Sequence, residues 1–275
     1  MFVRQSQKPP RSLDDVVGMT NWIRFRHQGK PGFGTLTQST IAVHDGEMFG
    51  TAKPSGQQLP LGDVELLAPT VPSKIVALWN NFHALAAKLN VPEPAEPLYL
   101  LKAPSSVTAP GAVIKPPACY GGKTTYEGEL GIVIGKTCSE VSADEADEFI
   151  FGYTCVNDVT ANDILNRDPT FPQWARAKGF DGSGPFGPVI VSGIDPANLV
   201  VRTILNGAER QNYPIADMIF SAQQLVSQIS HDMTLLPGDL ICCGTSIGVG
   251  VMKEPVNIVT VSIDGIGELT NEFRQ

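Results

Sequence analysis

Residues 126–136 read YEGELGIVIGK, a segment that places Glu127 and Glu129 on either side of a glycine, just before an apolar run. The run from Leu130 to Ile134 is short, rich in β-branched residues and closed by glycine, which predicts a buried strand. Side chains two residues apart in a strand point to the same face, roughly 6.5–7 Å apart. Two carboxylates at that separation repel by roughly 2–3 kcal/mol at an effective dielectric constant of about 20, and burial adds a desolvation cost.

A hard divalent cation is the simplest compensation for this repulsion, because Mg²⁺, Mn²⁺ and Ca²⁺ prefer carboxylate oxygens. The alternative is a solvated strand end with two exposed acids, and the segment alone leaves both interpretations open. A third acid, Asp158, follows the apolar run in GYTCVNDVTANDIL, residues 152–165. Asp158 could instead cap the helix that we predict next, around Asp163. Together with the glutamate pair, however, it completes a three-carboxylate set typical of a Mg²⁺ site.

The composition favours a β-rich α+β protein. Its 275 residues include 27 glycines and 22 prolines, and 42% of the residues are hydrophobic. So many turn-forming residues indicate strands and turns, not a helical bundle. The formal net charge of −8 argues against a nucleic-acid-binding protein, which needs a basic face.

The cysteines and the absence of long apolar segments predict a soluble cytoplasmic protein. The five cysteines are odd in number and show no CxxC spacing, which indicates buried thiols in a reducing compartment. The N-terminal sequence MFVRQSQKPPRSLDD has no apolar signal region, and no segment reaches about 18 apolar residues. We therefore expect no membrane partner.

The proline-containing segment LLAPTVPSK, residues 66–74, predicts a linker between a small N-terminal domain, residues 1–69, and a larger domain, residues 70–275. In the first part, TQSTIAVHDGEMFG predicts a hairpin with an Asp-Gly turn. In the second, we predict a strand at IVALW, a short helix at 83–89, a capped helix at 142–149, an amphipathic helix at 217–230 and a closing hairpin at VNIVTVSIDGIGELTN.

Two further segments carry residues suited to an anionic ligand. Lys178 lies in FPQWARAKGFDGSGPFGP, residues 171–188, and a lysine beside a cation site can bind a carboxylate as a point charge, although an isolated lysine is usually a solvated surface residue. In the loop CCGTSIGVG, residues 242–250, the backbone at Gly244 and the hydroxyl of Thr245 could hold a carboxylate. The loop lacks both the P-loop and the dinucleotide-binding spacing.

In order and spacing, the segments YEGELGIVIGK, GYTCVNDVTANDIL, QWARAKGFDGSGPFGP and LPGDLICCGTSIGVG resemble the signature segments of the fumarylacetoacetate hydrolase family, over about residues 70–272. The resemblance implies a mixed β-sandwich roll, usually dimeric and often preceded by a small N-terminal domain. It implies that Glu127, Glu129 and Asp158 hold Mg²⁺, with Mn²⁺ or Ca²⁺ as further candidates. It also implies that Lys178 and Thr245 lie near a bound substrate.

One segment departs from the family pattern. Many members carry N-Y-x-x-H-x-x-E after the first strand of the larger domain, and that His–Glu pair activates water. Here the segment reads WNNFHALAAKLN, residues 79–90, so that Leu85 and Lys88 stand where the pair is expected. His83 lies two positions early, with no acid three residues beyond it. It is a candidate catalytic base, and the alternative is a capping or packing residue.

Three functions follow as hypotheses. The first is metal-dependent hydrolysis of a C–C bond in a small 2,4-dioxo acid, with Lys178 and His83 as catalytic residues. The second is metal-dependent decarboxylation or keto–enol isomerisation of an oxo acid, which needs mainly stabilisation of an enolate. The third is a metal- or ligand-binding protein without catalysis. All three predict a small anionic ligand and a homodimer, and the segments do not distinguish one substrate from another.

Overall fold

Twenty strands and four helices form the part of the chain that the computed structural model describes, which is residues 18–118 and 120–275. The first ten strands are β1 (Thr20–His27), β2 (Lys30–Thr37), β3 (Thr40–Asp45), β4 (Lys53–Pro60), β5 (Glu65–Leu66), β6 (Ile75–Trp79), β7 (Leu98–Lys102), β8 (Val107–Thr108), β9 (Val113–Ile114) and β10 (Thr124–Tyr126). The others are β11 (Gly128–Ile134), β12 (Ile150–Asn157), β13 (Thr160–Ala161), β14 (Gly184–Ser192), β15 (Val200–Leu205), β16 (Ala208–Pro214), β17 (Leu240–Cys242), β18 (Gly250–Val251), β19 (Val256–Ile263) and β20 (Gly267–Arg274). The helices are α1 (His83–Leu89), α2 (Asn162–Leu165), α3 (Trp174–Lys178) and α4 (Ala222–Asp232).

A large sheet of twelve strands organises the fold. Its main path runs β4-β3-β2-β1-β14-β12-β11-β17-β6-β7, with β5 beside β1 and β8 beside β14. Most neighbouring pairs on this path are antiparallel, whereas β17 and β6 are parallel. Strand β11 lies in the interior of the sheet, and all seven of its residues are buried. The β-branched run of the sequence is therefore a buried strand, as predicted, and the sheet order gives its central position.

The two faces of the large sheet pack against different elements. On one face, Leu130, Ile132 and Ile134 of β11 pack with side chains of the five-stranded sheet β16-β15-β19-β20-β9 and of helix α4. On the other face, Val133 packs with side chains of β12, β14 and β17. Because side chains alternate along a strand, Glu129 points to this second face, together with Val133.

The β-rich α+β architecture predicted from the sequence is confirmed, with differences at the level of single elements. Strand β6, helix α1 and the closing hairpin β19–β20 lie where the sequence predicts them. The helix expected at 217–230 begins only at Ala222, because Ser221 and Gln224 form a capping box that sets its start. The helix expected at 142–149 is a short 3₁₀ turn at Ala146–Phe149.

The N-terminal strands continue the large sheet of the rest of the chain. Strand β1 pairs antiparallel with β14, with Trp22 opposite Ile190. The predicted hairpin around the Asp-Gly turn is formed by β3 and β4, but β4 begins only at Lys53, so 47–50 belongs to the connection. A boundary between separate units near residue 70 stays a prediction. The sequence-based expectations for the N-terminal 15 residues and for Cys119 fall outside the described residues.

Candidate metal centre

Strand pairing brings the three predicted acids together. Glu127 directly precedes β11 and Glu129 lies within it, whereas Asp158 directly follows β12. These strands are antiparallel, with Gly128 opposite Asn157, so the next pair along is Glu127 and Asp158. The amide of Asp158 donates a hydrogen bond to the carbonyl of Glu127 at 2.8 Å. One carboxylate oxygen from each of the three acids lies within 4.8 Å of the other two.

The environment of these oxygens fits a hard divalent cation. Glu129 and Asp158 are fully buried, and the side chain of Glu127 is 16% exposed. Burial raises the pKa of Glu129 well above its ordinary value, and the nearby charges of Asp158 and Glu127 raise it further. Among the described residues, Glu129 Oε1 has no hydrogen-bond partner. A buried carboxylate oxygen without a partner is costly, and coordination of a cation removes that cost.

Lys178 joins the acids into one network. It ends helix α3, and its ammonium donates to Asp158 Oδ2 at 2.5 Å, to Glu127 Oε2 at 2.8 Å and to Thr160 Oγ1 at 2.8 Å. The hydroxyl of Thr160 in turn donates to Glu127 Oε1 at 2.8 Å. Although burial opposes ionisation of this lysine, the charges of Asp158, Glu127 and Glu129 outweigh burial and raise its pKa. Lys178 is therefore a cation that orients two of the three acids.

A second lysine, Lys102, belongs to the same network, and the sequence reasoning missed it. It ends strand β7, is buried, and donates to Asp158 Oδ1 and, at 3.1 Å, to the carbonyl of Ser183. Burial alone would raise the pKa of Asp158, but Lys102 and Lys178 together hold that pKa below its ordinary value. The signal in the sequence is a lysine that continues the alternation of Leu98 and Leu100 on one face of β7.

The loop after β17 contacts the acids from the other side. The amide of Gly244 donates to Glu129 Oε2 at 2.9 Å, at a backbone φ of +88° that favours glycine. Thr245 donates to the carbonyl of Gly128 at 3.0 Å and accepts from Gln211 Nε2 at 2.8 Å. The structure therefore places both predicted carboxylate-binding residues beside the acids. Their role toward a substrate stays a prediction.

Gln211 and Tyr213, on β16, are two further residues of the centre that the sequence reasoning missed. The side-chain carbonyl of Gln211 accepts from the amide of Gly128 at 3.0 Å, and the Tyr213 hydroxyl donates to the carbonyl of Gly128 at 2.5 Å. Burial raises the pKa of Tyr213, and the charge of Glu129 raises it further. Both side chains thus hold the backbone between the two glutamates. Their strand, AERQNYP, shows no local pattern that points to the acids.

His83 lies apart from the hydrogen-bond network of the acids. It begins helix α1, and its Nδ1 lies 2.6 Å from Glu93 Oε1, with the two side chains 49% and 52% exposed. The acid that the sequence lacks three residues beyond His83 is thus supplied by the segment that follows α1. At the position where the family pattern has its histidine, Leu85 packs against the core. Whether His83 acts as a base stays a prediction.

Within the described ranges, no helix combines the length and the apolar character needed to cross a bilayer.

Comparison with known proteins is consistent with this geometry. The fumarylacetoacetate (FAA) hydrolase C-terminal family matches residues 74–274, and the Rv2993c-like N-terminal family matches residues 21–69. The oxaloacetate tautomerase YisK of Bacillus subtilis is 38% identical over 226 residues, which cover 78% of this chain and 74% of that protein.

Two solved structures show the same fold. The 2-hydroxyhepta-2,4-diene-1,7-dioate isomerase from Mycobacterium marinum superposes with a TM-score of 0.84 at 38% identity, over 93% of this chain and 98% of that one. The maleylpyruvate hydrolase from Sphingobium sp. SYK-6, in complex with manganese(II) and pyruvate, superposes with a TM-score of 0.75 at 26% identity, over 93% and 99%. This chain is therefore an enzyme of the fumarylacetoacetate hydrolase family.

Proposed function

We propose that this protein is a divalent-metal-dependent enzyme that enolises a short 2-oxo acid, as a keto–enol tautomerase or isomerase. The observation that carries the proposal is the convergence of Glu127, Glu129 and Asp158, one of which keeps an oxygen without a partner among the described residues. Mg²⁺ or Mn²⁺ suits three carboxylate oxygens, and Mn²⁺ is the ion named for the maleylpyruvate hydrolase structure. Such an ion supplies Lewis-acid stabilisation of the negative charge that develops on the 2-oxo oxygen.

The charge of the centre supports an anionic substrate. When all three carboxylates are ionised, as coordination of a cation requires, they and the two buried ammonium groups of Lys102 and Lys178 carry a formal net charge of −1. A dication changes this to +1, so that an oxo acid finds a cationic centre in a protein whose formal net charge is −8. We propose that the Gly244–Thr245 loop holds the substrate carboxylate, as the family resemblance implies.

The lysines provide fixed positive charge next to the reacting carbonyl. Lys178 donates to Asp158, Glu127 and Thr160 and is held in place by them, so its charge needs no reorganisation when an enolate forms. Enolisation requires this stabilisation and transfer of the C3 proton to solvent water or to a base, whereas C–C hydrolysis requires in addition a base that deprotonates the attacking water. Decarboxylation of a 3-carboxylated oxo acid passes through the same enolate. The names of the tautomerase and isomerase relatives support this choice.

Exchange of the C3 protons of 2-oxobutanoate in D₂O, followed by ¹H NMR, tests the proposal. We expect exchange above the uncatalysed rate with Mg²⁺ or Mn²⁺, loss of it with EDTA, and loss of it in Glu129→Gln. CO₂ release from oxaloacetate tests the decarboxylase form in parallel. If Mn²⁺ binds but a panel of 2-oxo and 2,4-dioxo acids shows neither exchange nor cleavage, the proposal is wrong.

A second candidate function is hydrolysis of a 2,4-dioxo acid by water to pyruvate and a carboxylic acid. The His83–Glu93 pair favours it, because a carboxylate that accepts from one ring nitrogen orients the other as a general base. We expect His83→Ala to lower pyruvate release from 2,4-dioxopentanoate at least about a hundredfold more than it lowers C3 exchange. Equal effects on the two reactions would exclude His83 as the base for water.

We also propose a cytoplasmic homodimer that binds neither nucleic acid nor membranes. Four of the five cysteines, those within the described residues, are free and buried, as suits a reducing compartment. On the outer side of β19, Val256 and Ile258 are 49% and 42% exposed, as suits a surface that a second copy covers. Sedimentation velocity gives the mass in solution, and a monomer at micromolar concentration would contradict the dimer.

A further inference from the structure

A pair of partly exposed tryptophans lies beside the metal centre on the same face of the large sheet. Trp79 ends strand β6 and is 37% exposed, although most of that strand is fully buried. Its ring centroid lies 6.5 Å from that of Trp174, the first residue of α3, with the ring planes tilted by 55°. Neither ring takes part in the hydrogen-bond network of the acids described above.

The register of the sheet places Trp79 near Glu129. Gly131 of β11 is opposite Cys242 of β17, which is beside Ala77 of β6. Glu129 lies two residues from Gly131, and Trp79 lies two residues from Ala77 on the same side of these paired positions. Both side chains therefore point to the face of the sheet that Gly131 and Ala77 share. Two inter-strand spacings separate their Cα atoms, which is roughly 10 Å.

Helix α3 gives a second, independent link between the pair and the acids. Trp174 and Lys178 are four residues apart and therefore lie on one face of the helix. Lys178 contacts Asp158 and Glu127, so the aromatic pair lies one helical turn from the network. Gly244 follows β17 between the two sides, and its amide donates to Glu129 Oε2.

We propose that Trp79 and Trp174 form the subsite for the non-reacting end of the substrate, and that this end is apolar, an aryl or alkyl group beyond C3. A 2-oxo acid that is held at the acids by C1 and C2 can extend its substituent beyond C3 along the face of the sheet that carries the pair. Aromatic faces bind such a group by offset or edge contacts. The inference rests on the proposed enolisation of a 2-oxo acid and adds the substrate class.

The charges around the pair favour an apolar end over a second carboxylate. The ammonium groups of Lys102 and Lys178 are already bonded to Asp158 and Glu127. Arg176 lies two residues from Trp174 on α3 and is exposed, which directs it away from the face that Trp174 and Lys178 share. A carboxylate placed against the rings would lose hydration without a cation to replace it.

The test compares 4-phenyl-2-oxobutanoate with 2-oxobutanoate as substrates for C3 exchange with Mg²⁺. We expect the wild-type protein to favour the phenyl compound in kcat/KM, and this preference to fall about tenfold in Trp79→Ala and in Trp174→Ala, chiefly through KM. Trp79→Phe should keep most of the preference. Leu101→Ala removes an exposed apolar side chain from the opposite face of β7 and should leave the preference within about twofold.

Binding separates this inference from the proposed function. If the wild-type protein exchanges neither compound, the enolisation proposal fails, and calorimetric titration of the Mg²⁺-loaded protein with both acids still tests the subsite. Tighter binding of the phenyl acid, lost in the two alanine variants, supports it. An unchanged preference in both variants, or a change in oligomeric mass as their sole effect, would overturn it.

Discussion

The centre depends on how three carboxylates share one buried volume. Two lysines pair with Asp158, and Lys178 also pairs with Glu127. Glu129 instead accepts from the amide of Gly244 and keeps its other oxygen without a partner among the described residues. The raised pKa of Glu129 means that its proton and a cation compete for the same oxygens.

This competition predicts opposite pH dependences for the metal-free and metal-loaded protein. Because the pKa of folded Glu129 is raised above its ordinary value of 4.5, its proton stabilises the native state at low pH, and that contribution is lost as pH rises through the raised pKa. Glu129→Gln removes this titration. With EDTA, we expect Tm of the wild type relative to that of Glu129→Gln to fall as pH rises above 4.5 and through the raised pKa, and with Mn²⁺ we expect it to rise with pH.

Differential scanning calorimetry at matched ionic strength measures both trends. Calorimetric titration with Mn²⁺ in buffers of different ionisation enthalpy should also show proton release in the wild type and much less in Glu129→Gln. If Tm of the wild type and Tm of Glu129→Gln change in parallel with pH in EDTA, Glu129 is not the group that binds a proton in the metal-free protein.

Lys102 offers a test of the buried ion pairs. Lys102→Met keeps the volume of the side chain but leaves Asp158, which is fully buried, with one cation instead of two. We expect the free energy of unfolding in EDTA to fall by about 3–5 kcal/mol, as measured by urea denaturation.

An exposed ion pair serves as the control for Lys102. Arg26 and Glu65 have side chains 44% and 62% exposed, and Arg26→Met should have little effect on the free energy of unfolding. Equal losses in the two variants would indicate a general effect of removing a charge, not the burial of Asp158.

The pairing of β11 with β12 sets the positions of all three acids, and Gly128 of β11 packs tightly against the five-stranded sheet. Its neighbours are Thr203 and Gln211, whose side chains come from β15 and β16. A Cβ at Gly128 would lie 2.0 Å from Thr203 Oγ1, so a larger residue must push β11 away from the five-stranded sheet. The glycine between the two glutamates is thus required by packing.

Gly128→Ala should lower the free energy of unfolding by about 2–3 kcal/mol and weaken Mn²⁺ binding, because both flanking acids move with the strand. The double variant Gly128→Ala/Thr203→Ala removes the closest atom and should recover more than half of the loss relative to Thr203→Ala. Urea denaturation of the wild type, the two single variants and the double variant gives the four free energies of unfolding of this double-mutant cycle. Gly62→Ala is the control, since a Cβ there meets nothing within 4 Å. A Gly128→Ala protein as stable as the control would show that the strands adjust freely.

In the complete molecule, the N-terminal strands protect an edge of the sheet that carries the centre. Strand β14 pairs with β12 on one side and with β1 on the other. Without β1, the hydrogen-bonding groups of β14 would face solvent beside a buried apolar face, which favours association. The chain thus forms one sheet from the two segments that match different families.

A chain of residues 70–275 tests whether the predicted boundary separates units that fold independently. We expect it to aggregate or to melt at a lower temperature than the full chain, as seen by size-exclusion chromatography and thermal denaturation. A monodisperse fragment with full Mn²⁺ affinity would instead support an independent larger domain.

The sequence alone was sufficient for the features that are written in short segments. The apolar run 130–134 predicts a buried strand, and the spacing of Glu127 and Glu129 places both on one face, because side-chain alternation is a local property of a strand. Asp158 and Lys178 were found because each lies in a recognisable segment. The position of α4 was found only roughly, because the capping box at Ser221 overrides the apolar spacing that begins before it.

The tertiary structure alone decided which distant segments meet. Lys102 reaches Asp158 from 56 residues away, and Gln211 reaches Gly128 from 83, across strands whose sequences show no relation to each other. The pairing of His83 with Glu93 and of β1 with β14 is equally invisible in local patterns. The physical reason is that alternation and capping specify what one element is, whereas the choice of neighbours depends on how all apolar faces are buried at once.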